Sequence, residues 1–419
     1  MIYNKKILVD FDKNTELTLD GQSKICNWLY NRLLDICKND YEIYGKASKI
    51  TLGNNIRDMV PALKYDYKFL NTVYSSATKN VGRRLQDTYK SFYSKRCGYP
   101  KFKSWKNSWF SLYYDEPMKG YSILNNDLTL SLGKNINGER MQAIGKLKEG
   151  LRLKKDEKVK TLRLCKEKRK FFAIFSIEYS EPQPKAVSNW IAIDQNHKNF
   201  FVAIDNNGQT FEFTRFYQDR YFDKVIDKLK SKRDLCNKKH KKRTTQNSNK
   251  SYYVPNRRWV RLDNAIKRAE SRKREQTKQT MYSIAHFIAK NYDKVVIGDY
   301  TPTKNKDKLK NINRSVVNQS HIGEFRQILE WVMKKSHKSY LKVSEKYTTQ
   351  TCSVCGHKEK KSVEIREFTC PKCNTFILRD VNSAINIAAK DNLKPISPSL
   401  SEINRVGTFV FKIGRLVVI

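Results

Sequence analysis

The sequence contains no run of 18 apolar residues, and its opening "MIYNKKILVDFDKNTELTL" lacks the apolar stretch of an export signal. No membrane span or signal peptide is expected, and the reading is a cytoplasmic protein of the prokaryotic cytosol or nucleoid. Acidic residues are scarce: 42 Asp plus Glu stand against 83 Lys plus Arg, a formal charge of +41. Such an excess repels itself unless a polyanion or dissolved ions neutralise it, so nucleic acid is the first partner to consider. No internal repeat is visible, which excludes a repeat array. Paired cysteines are few as well. Of nine, Cys26, Cys37, Cys97, Cys165 and Cys236 stand singly, which argues against a disulfide framework; the other four form two pairs near the C-terminus. Reducing cytosol with one metal site fits that distribution.

A chain of 419 residues is long enough for several compact units. After the strand-like "KKILVDF", apolar residues recur at helical spacing, as at Ile25, Leu29, Leu33 and Ile36, and predict a helical module over 15–97. Short alternating runs such as "LTLSL" and "FFAIFSIEY" predict a β-rich module from residues 1–14 and 98–185, closed by the proline-containing linker "EPQPK". Two apolar strands, an Asn207-Gly208 hairpin turn and a third strand open the next unit. A basic helical stretch broken by a polar loop, the strand "KVVIGDY", a helix, the strand "YLKVSEKY", the cysteine pairs and a last helix follow. The order βββαβαβα suits an α/β nuclease core over 186–348 and 376–395 with residues 349–375 inserted, though periodicity does not separate it from other α/β folds. Residues 396–419, ending in the apolar "TFVFKIGRLVVI", receive no role.

Cys352 and Cys355, then Cys370 and Cys373, make two Cys-x2-Cys knuckles separated by 14 residues. Each gap lets both thiolates point at one ion, and four thiolates around Zn²⁺ make a closed structural site. His357 stands beside a set that is already complete. Cleavage of phosphodiesters with Mg²⁺ needs carboxylates from several elements, because two hard cations about 4 Å apart must be held with room for water and phosphate. Asp194 ends an apolar strand, where a carboxylate is costly; a turn-forming aspartate is the competing reading.

"TTQTCSVCG", "REFTCPKCNTFILRDVNSAINIA", "GYPKFKS" and "IAIDQNHKNFFVAID" together resemble the TnpB family of RNA-guided nucleases and the related miniature type V CRISPR effectors. The resemblance implies an RNase H-like (RuvC) core with an inserted four-cysteine zinc finger, a β-barrel-like wedge module and a helical recognition module. It also implies two Mg²⁺ ions, a guide RNA that chooses the target DNA by pairing, and a short flanking DNA motif read by the protein. Asp194 matches the first RuvC aspartate and Asp380 the last. The family's glutamate at the end of the middle strand is missing, and Gly298 holds its place. Asp299 could replace it only if a bulge redirected its side chain, because successive strand residues face opposite ways. A branch of the family resembles this chain in its "GDY" and "IREF" segments and implies a relocated glutamate, here Glu367, with Glu364 and, less favoured, Glu345 as competitors. An RNA-guided endonuclease is the first expectation; a nuclease-inactive RNA-guided repressor is the alternative, and a transposase the third. Transposon-borne and CRISPR-associated origins, and the oligomeric state, stay open.

"YPKFKSWKNSWFSLYY" interleaves lysines with aromatic rings, and Tyr99, Lys101, Lys103 and Lys106 are the nucleic-acid-binding candidates. Rings packed into a β-module core are the competing reading. "KKHKKR" reads as a solvated basic loop close to nucleic acid.

Overall fold

The computed structural model describes residues 2–106, 108–135, 137–167, 169–180, 187–196, 199–214, 216–237, 241–245, 248–302, 320–360, 365–395, 406–412 and 415–418. The expected linker "EPQPK", part of the "KKHKKR" loop and Glu364 lie outside them. The chain divides into two units, Met1–Glu181 and Pro182–Ile419.

Unit 1 joins the segments read as separate β-rich and helical modules around one core. Strand β1 (Ile2–Asp10) runs into α1 (Lys13–Tyr44), whose first turn is capped by Asp12 accepting from the Asn14 and Thr15 amides. Leu19, Cys26, Leu29, Leu33 and Cys37 line its buried face, and helices α2 (Asn55–Asp58), α3 (Val60–Asp66) and α4 (Ser75–Tyr93) follow. Strands β2 (Leu112–Tyr114), β3 (Tyr121–Leu124), β4 (Asp127–Lys134), β5 (Arg140–Leu147), β6 (Glu157–Glu167) and β7 (Lys170–Tyr179) then join β1 in a seven-stranded antiparallel sheet, order β2-β6-β7-β1-β5-β4-β3. In β7 every second residue, Phe171, Ala173, Phe175 and Ile177, is fully buried, as period two requires of a strand with one face on a core.

Unit 2 is built on a seven-stranded mixed sheet, order β14-β13-β8-β9-β10-β17-β18. Strands β8 (Trp190–Gln195), β9 (Phe201–Asp205) and β10 (Thr210–Phe213) form the expected antiparallel meander. Helices α5 (Tyr217–Asn237) and α6 (Arg257–Asn291) lead to β13 (Lys294–Gly298), which lies parallel to β8. Helix α7 (Ile322–Lys335) leads to β14 (Ser339–Val343), parallel to β13. A small hairpin, β15 (Glu367–Thr369) and β16 (Phe376–Leu378), precedes α8 (Arg379–Ala389). The stretch expected as a polar loop between α5 and α6 forms strands β11 (Lys241–Thr245) and β12 (Ser248–Val254); their threonines, tyrosines and valine suit a pleated ladder better than a helix. The unassigned C-terminus also has a structural place: β17 (Val406–Lys412) pairs parallel with β10, and β18 (Arg415–Val418) pairs antiparallel with β17.

Strand parity fixes which side of this sheet can carry chemistry. Ile191, Ile193, Val295 and Ile297 join a core with Ile284, Ile288, Phe325 and Leu329 of α6 and α7. Trp190, Ala192, Ile204 and Val296 face the other way, onto Ala384, Ile387 and Ala388 of α8. Asp194 and Gly298 continue the even set and fall on the α8 face, beside each other because Ile193 pairs with Ile297.

Candidate metal centres

Asp194, next to last in β8, is almost completely buried, in line with the cost that singled it out from sequence. Burial drives its carboxyl well above the usual range, and the carboxylates of Glu345 and Asp380 push it further; a Ser383 hydrogen bond and Arg379 act against them. Asp380 lies in the first turn of α8, where the helix dipole favours a carboxylate. Arg366 Nη1 stands 3.1 Å from its Oδ2, and Asn196 Nδ2 donates to the same oxygen at 3.4 Å. Asp194 and Asp380 are thus brought together from opposite ends of the unit's sequence.

The third carboxylate at this point is Glu345. A β-carbon built on Gly298 would overlap Glu345 Oε1, Cδ and Cγ, so the glutamate's side chain fills the volume that a residue-298 side chain would enter. Parity explains the approach. Gly298 pairs with Val343, whose side chain packs on the α8 face, and Glu345 lies two residues further on, where period two returns the chain to that face. Asp299 does not turn into the site; its Oδ1 accepts from the Glu345 amide at 3.0 Å and fixes the start of that loop. Burial is the main cause that raises the Glu345 carboxyl to about 7, with Asp299 adding, and the Tyr300 amide and Arg326 opposing. Its Oε1 is buried with no hydrogen-bond partner among the described residues, a state that costs on the order of 1–3 kcal/mol unless a ligand supplies a contact.

Glu367 goes elsewhere. It lies exposed on β15, paired with Leu378, while its neighbour Arg366 takes the contact with Asp380. Glu367 was expected beside Asp380; the side chain that contacts Asp380 from this segment is that of its neighbour Arg366.

The loop carrying Glu345 is fastened to α8. Thr348 Oγ1 donates to the Glu345 carbonyl at 2.8 Å and stands 3.1 Å from Ser383 Oγ, the hydroxyl that hydrogen-bonds Asp194. Asn386 Nδ2 donates to the Thr348 and Thr351 carbonyls at 2.8 and 2.7 Å; Asn382 repeats the clamp and accepts from the Ser353 amide. "TTQTC" and "NSAIN" are therefore two halves of one hydrogen-bonded splice. Asp194, Glu345 and Asp380 lie near enough for the two other carboxylates to raise Asp194, and Glu345 keeps one buried unpartnered oxygen; among the described residues the four cysteines are the group whose ligand atoms all lie within 4.8 Å of one another.

Cys352, Cys355, Cys370 and Cys373 place all four Sγ atoms within 4.8 Å of one another. Cys352 to Cys373 is 3.8 Å and Cys355 to Cys370 is 3.5 Å, close to the roughly 3.8 Å edge of a tetrahedron with Zn–S bonds of about 2.3 Å. Gly356 and Asn374, each just after a knuckle's second cysteine, take positive φ of 71° and 54° and close the turns. Hydrogen bonding, chiefly from the Thr375 hydroxyl, lowers the Cys373 thiol, while burial and the neighbouring sulfurs raise Cys355 and Cys352, as expected of four crowded thiols that share protons. His357 contributes its backbone: the carbonyl accepts from the Cys352 amide, and the amide donates to the Cys355 sulfur. Val202 of β9, Ile377 and Val381 pack beneath the cluster and seat it on the sheet.

The chain is similar to known proteins in sequence and in fold. Residues 323–387, which hold Glu345, the four cysteines and Asp380, match the family described as Cas12f1-like, TNB domain. TnpB-like proteins of Acanthamoeba polyphaga mimivirus are 26% identical over 177 residues, 41% of this chain and 30% of theirs. Cas12m, a CRISPR-associated DNA-binding protein of Thermanaerosceptrum fracticalcis, is 31% identical over 114 residues, 24% of this chain and 19% of its own. The matched stretches thus span less than a third of those relatives. A Cas12f1 structure, solved by cryo-electron microscopy with sgRNA and target DNA, shares the fold: TM-score 0.59 and 15% identity, covering 90% of this chain and 83% of that one. In sequence and in fold the chain is related to TnpB-like proteins and miniature type V effectors.

Proposed function

We propose that this relative of TnpB-like proteins and miniature type V effectors is an RNA-guided DNA endonuclease with an RNase H-like (RuvC) core. Asp194, Glu345 and Asp380 would hold magnesium, and Cys352, Cys355, Cys370 and Cys373 a structural zinc. Magnesium bound there would lower the pKa of an attacking water and offset charge on the leaving oxygen. The protein's own part is positioning: β8, the loop after β14 and the start of α8 each contribute one carboxylate, and the Thr348–Ser383 link sets their spacing. Arg366, ion-paired with Asp380, is placed to meet a phosphate once a cation takes over that carboxylate. A guide RNA would select the DNA by pairing, and unit 1 would supply the wedge and recognition functions.

One observation carries the nuclease reading over the inactive repressor. In a dead site Gly298 would leave a gap beside Asp194, whereas here a buried carboxylate with an unpartnered oxygen stands in that volume. The test uses protein purified with its co-expressed RNA, given Mg²⁺ and target DNA. Loss of several kcal/mol of transition-state stabilisation should slow cleavage by Glu345→Gln about 100-fold or more, while Glu367→Gln stays near wild type. Gly298→Glu combined with Glu345→Ala should recover part of the rate. Cleavage that survives Glu345→Gln but is lost in Glu367→Gln would return the role to Glu367. Guided binding without cleavage by the wild type would favour the repressor.

A further inference from the structure

The segment between α4 and β2 in unit 1 forms no strand, yet it is tightly held. Asn31 Oδ1 accepts from the Lys103 amide at 2.8 Å, and Asn31 and Asn27 both donate to the Lys103 carbonyl, at 2.9 and 3.1 Å. The Lys103 ammonium lies 3.9 Å from the Tyr30 ring centroid, and burial lowers its pKa. Tyr99 is held similarly: its hydroxyl is 3.1 Å from that of Tyr89, and its ring meets Tyr89 and Phe92 edge-on. Two of the residues expected to grip nucleic acid are thus used to fix the segment to its own unit.

The rings between and beyond these anchors face out. Phe102 is 52% and Trp105 51% exposed, and each carries a lysine from α1 on its ring: Lys38 at 4.4 Å from Phe102 and Lys24 at 4.7 Å from Trp105. Downstream the pattern reverses. Trp109 donates to Asp20 and packs edge-on against Phe171, while Phe110 is buried. The competing reading of core aromatics is therefore right for Trp109 and Phe110 and fails for Phe102 and Trp105. Lys101 and Lys106 are exposed beside the outward pair.

A clamped backbone that presents two half-exposed rings among four lysines is complementary to a ligand with flat π-faces and phosphates together. A protein partner fits less well, since interface cores are depleted of lysine. A duplex fits less well too, because its bases stack on one another and leave no face free. We propose that Phe102 and Trp105, with Lys24 and Lys38, form a stacking platform for unpaired bases of RNA, which offers such bases in loops and ends. Only the identification of that RNA as the guide rests on the function proposed above.

The test measures fluorescence anisotropy of the full-length chain, without added magnesium, with a 12-nucleotide unpaired RNA, the same sequence as DNA, and an RNA duplex of equal length. Trp105→Ala and Phe102→Ala should each weaken the unpaired RNA roughly 5- to 150-fold and leave the duplex within about twofold; Trp105→Phe should keep most of the affinity. Lys24→Ala should reduce the salt slope by about one without abolishing the ring effect. Equal losses for unpaired and duplex RNA, no loss for either alanine variant, or tighter binding of the DNA strand would each overturn the proposal. Unfolding midpoints and circular dichroism of the variants separate misfolding from lost stacking. Binding is read without cleavage, so this result is independent of whether the nuclease reading holds.

Discussion

Gly298 and Glu345 share one volume, so a larger residue at 298 forces the glutamate side chain to shift. Any β-carbon at 298 overlaps the glutamate side chain, so even Gly298→Ala should displace Glu345 and lower cleavage by about tenfold or more, with little change in guided DNA binding. Endpoint cleavage beside filter binding checks both halves of that outcome. The raised carboxyls have a second consequence. Glu345 moves from 4.5 to about 7 on folding and Asp194 is raised as well, so between those values the folded chain keeps protons that the unfolded chain releases. The stabilisation of the neutral forms is complete below about pH 4.5 and is lost as pH rises through about 7. Magnesium-free, zinc-loaded protein should therefore melt at lower temperature as pH climbs through that window, and Glu345→Gln should flatten the fall. Magnesium, which favours the ionised forms, should reverse it. Glu345 stood in the sequence as a minor candidate because residue 345 lies far from residue 298; the parallel register of β13 and β14 removes that distance.

At the scale of elements, the site depends on the splice between the loop after β14 and helix α8. Asn382→Ala leaves buried carbonyls of the Thr348–Thr351 loop with fewer donors, an expected loss of about 1–3 kcal/mol. Urea unfolding should show that loss, and cleavage should fall further than stability alone accounts for, because Thr348 also holds the Glu345 carbonyl. The four-cysteine cluster supports the same region from beneath, through Val202, Ile377 and Val381. Cys370→Ser, or a strong zinc chelator, should loosen β15 and β16 and raise amide exchange at the start of α8, which follows β16 directly. Unchanged exchange around Asp380 would show that α8 holds its first turn without the metal.

Across the whole molecule the charge of +41 would govern how the proposed nucleic-acid partners are held. If six to ten lysines and arginines neutralise phosphates, guide affinity should fall by about 10³ to 10⁵ between 50 and 200 mM salt; a shallow slope in a salt titration would contradict a backbone-dominated grip. That charge, the paired cysteines and the apolar strand ending in Asp194 were legible in the sequence because each is a local pattern: a count, a spacing, an alternation. So were the three-stranded meander and the helix with Asp380 in its first turn. The single core that unites β1 with α1 and α4 was not legible, nor the β11–β12 hairpin, nor the addition of β17 to β10, because those depend on which distant segments pair. The same limit applied to the glutamate. Composition and motif determined that carboxylates and thiolates were available for two metal centres; only tertiary structure decided that Glu345 enters the volume left open by Gly298, since parity and strand register are set by pairing partners that the one-dimensional order of residues does not name.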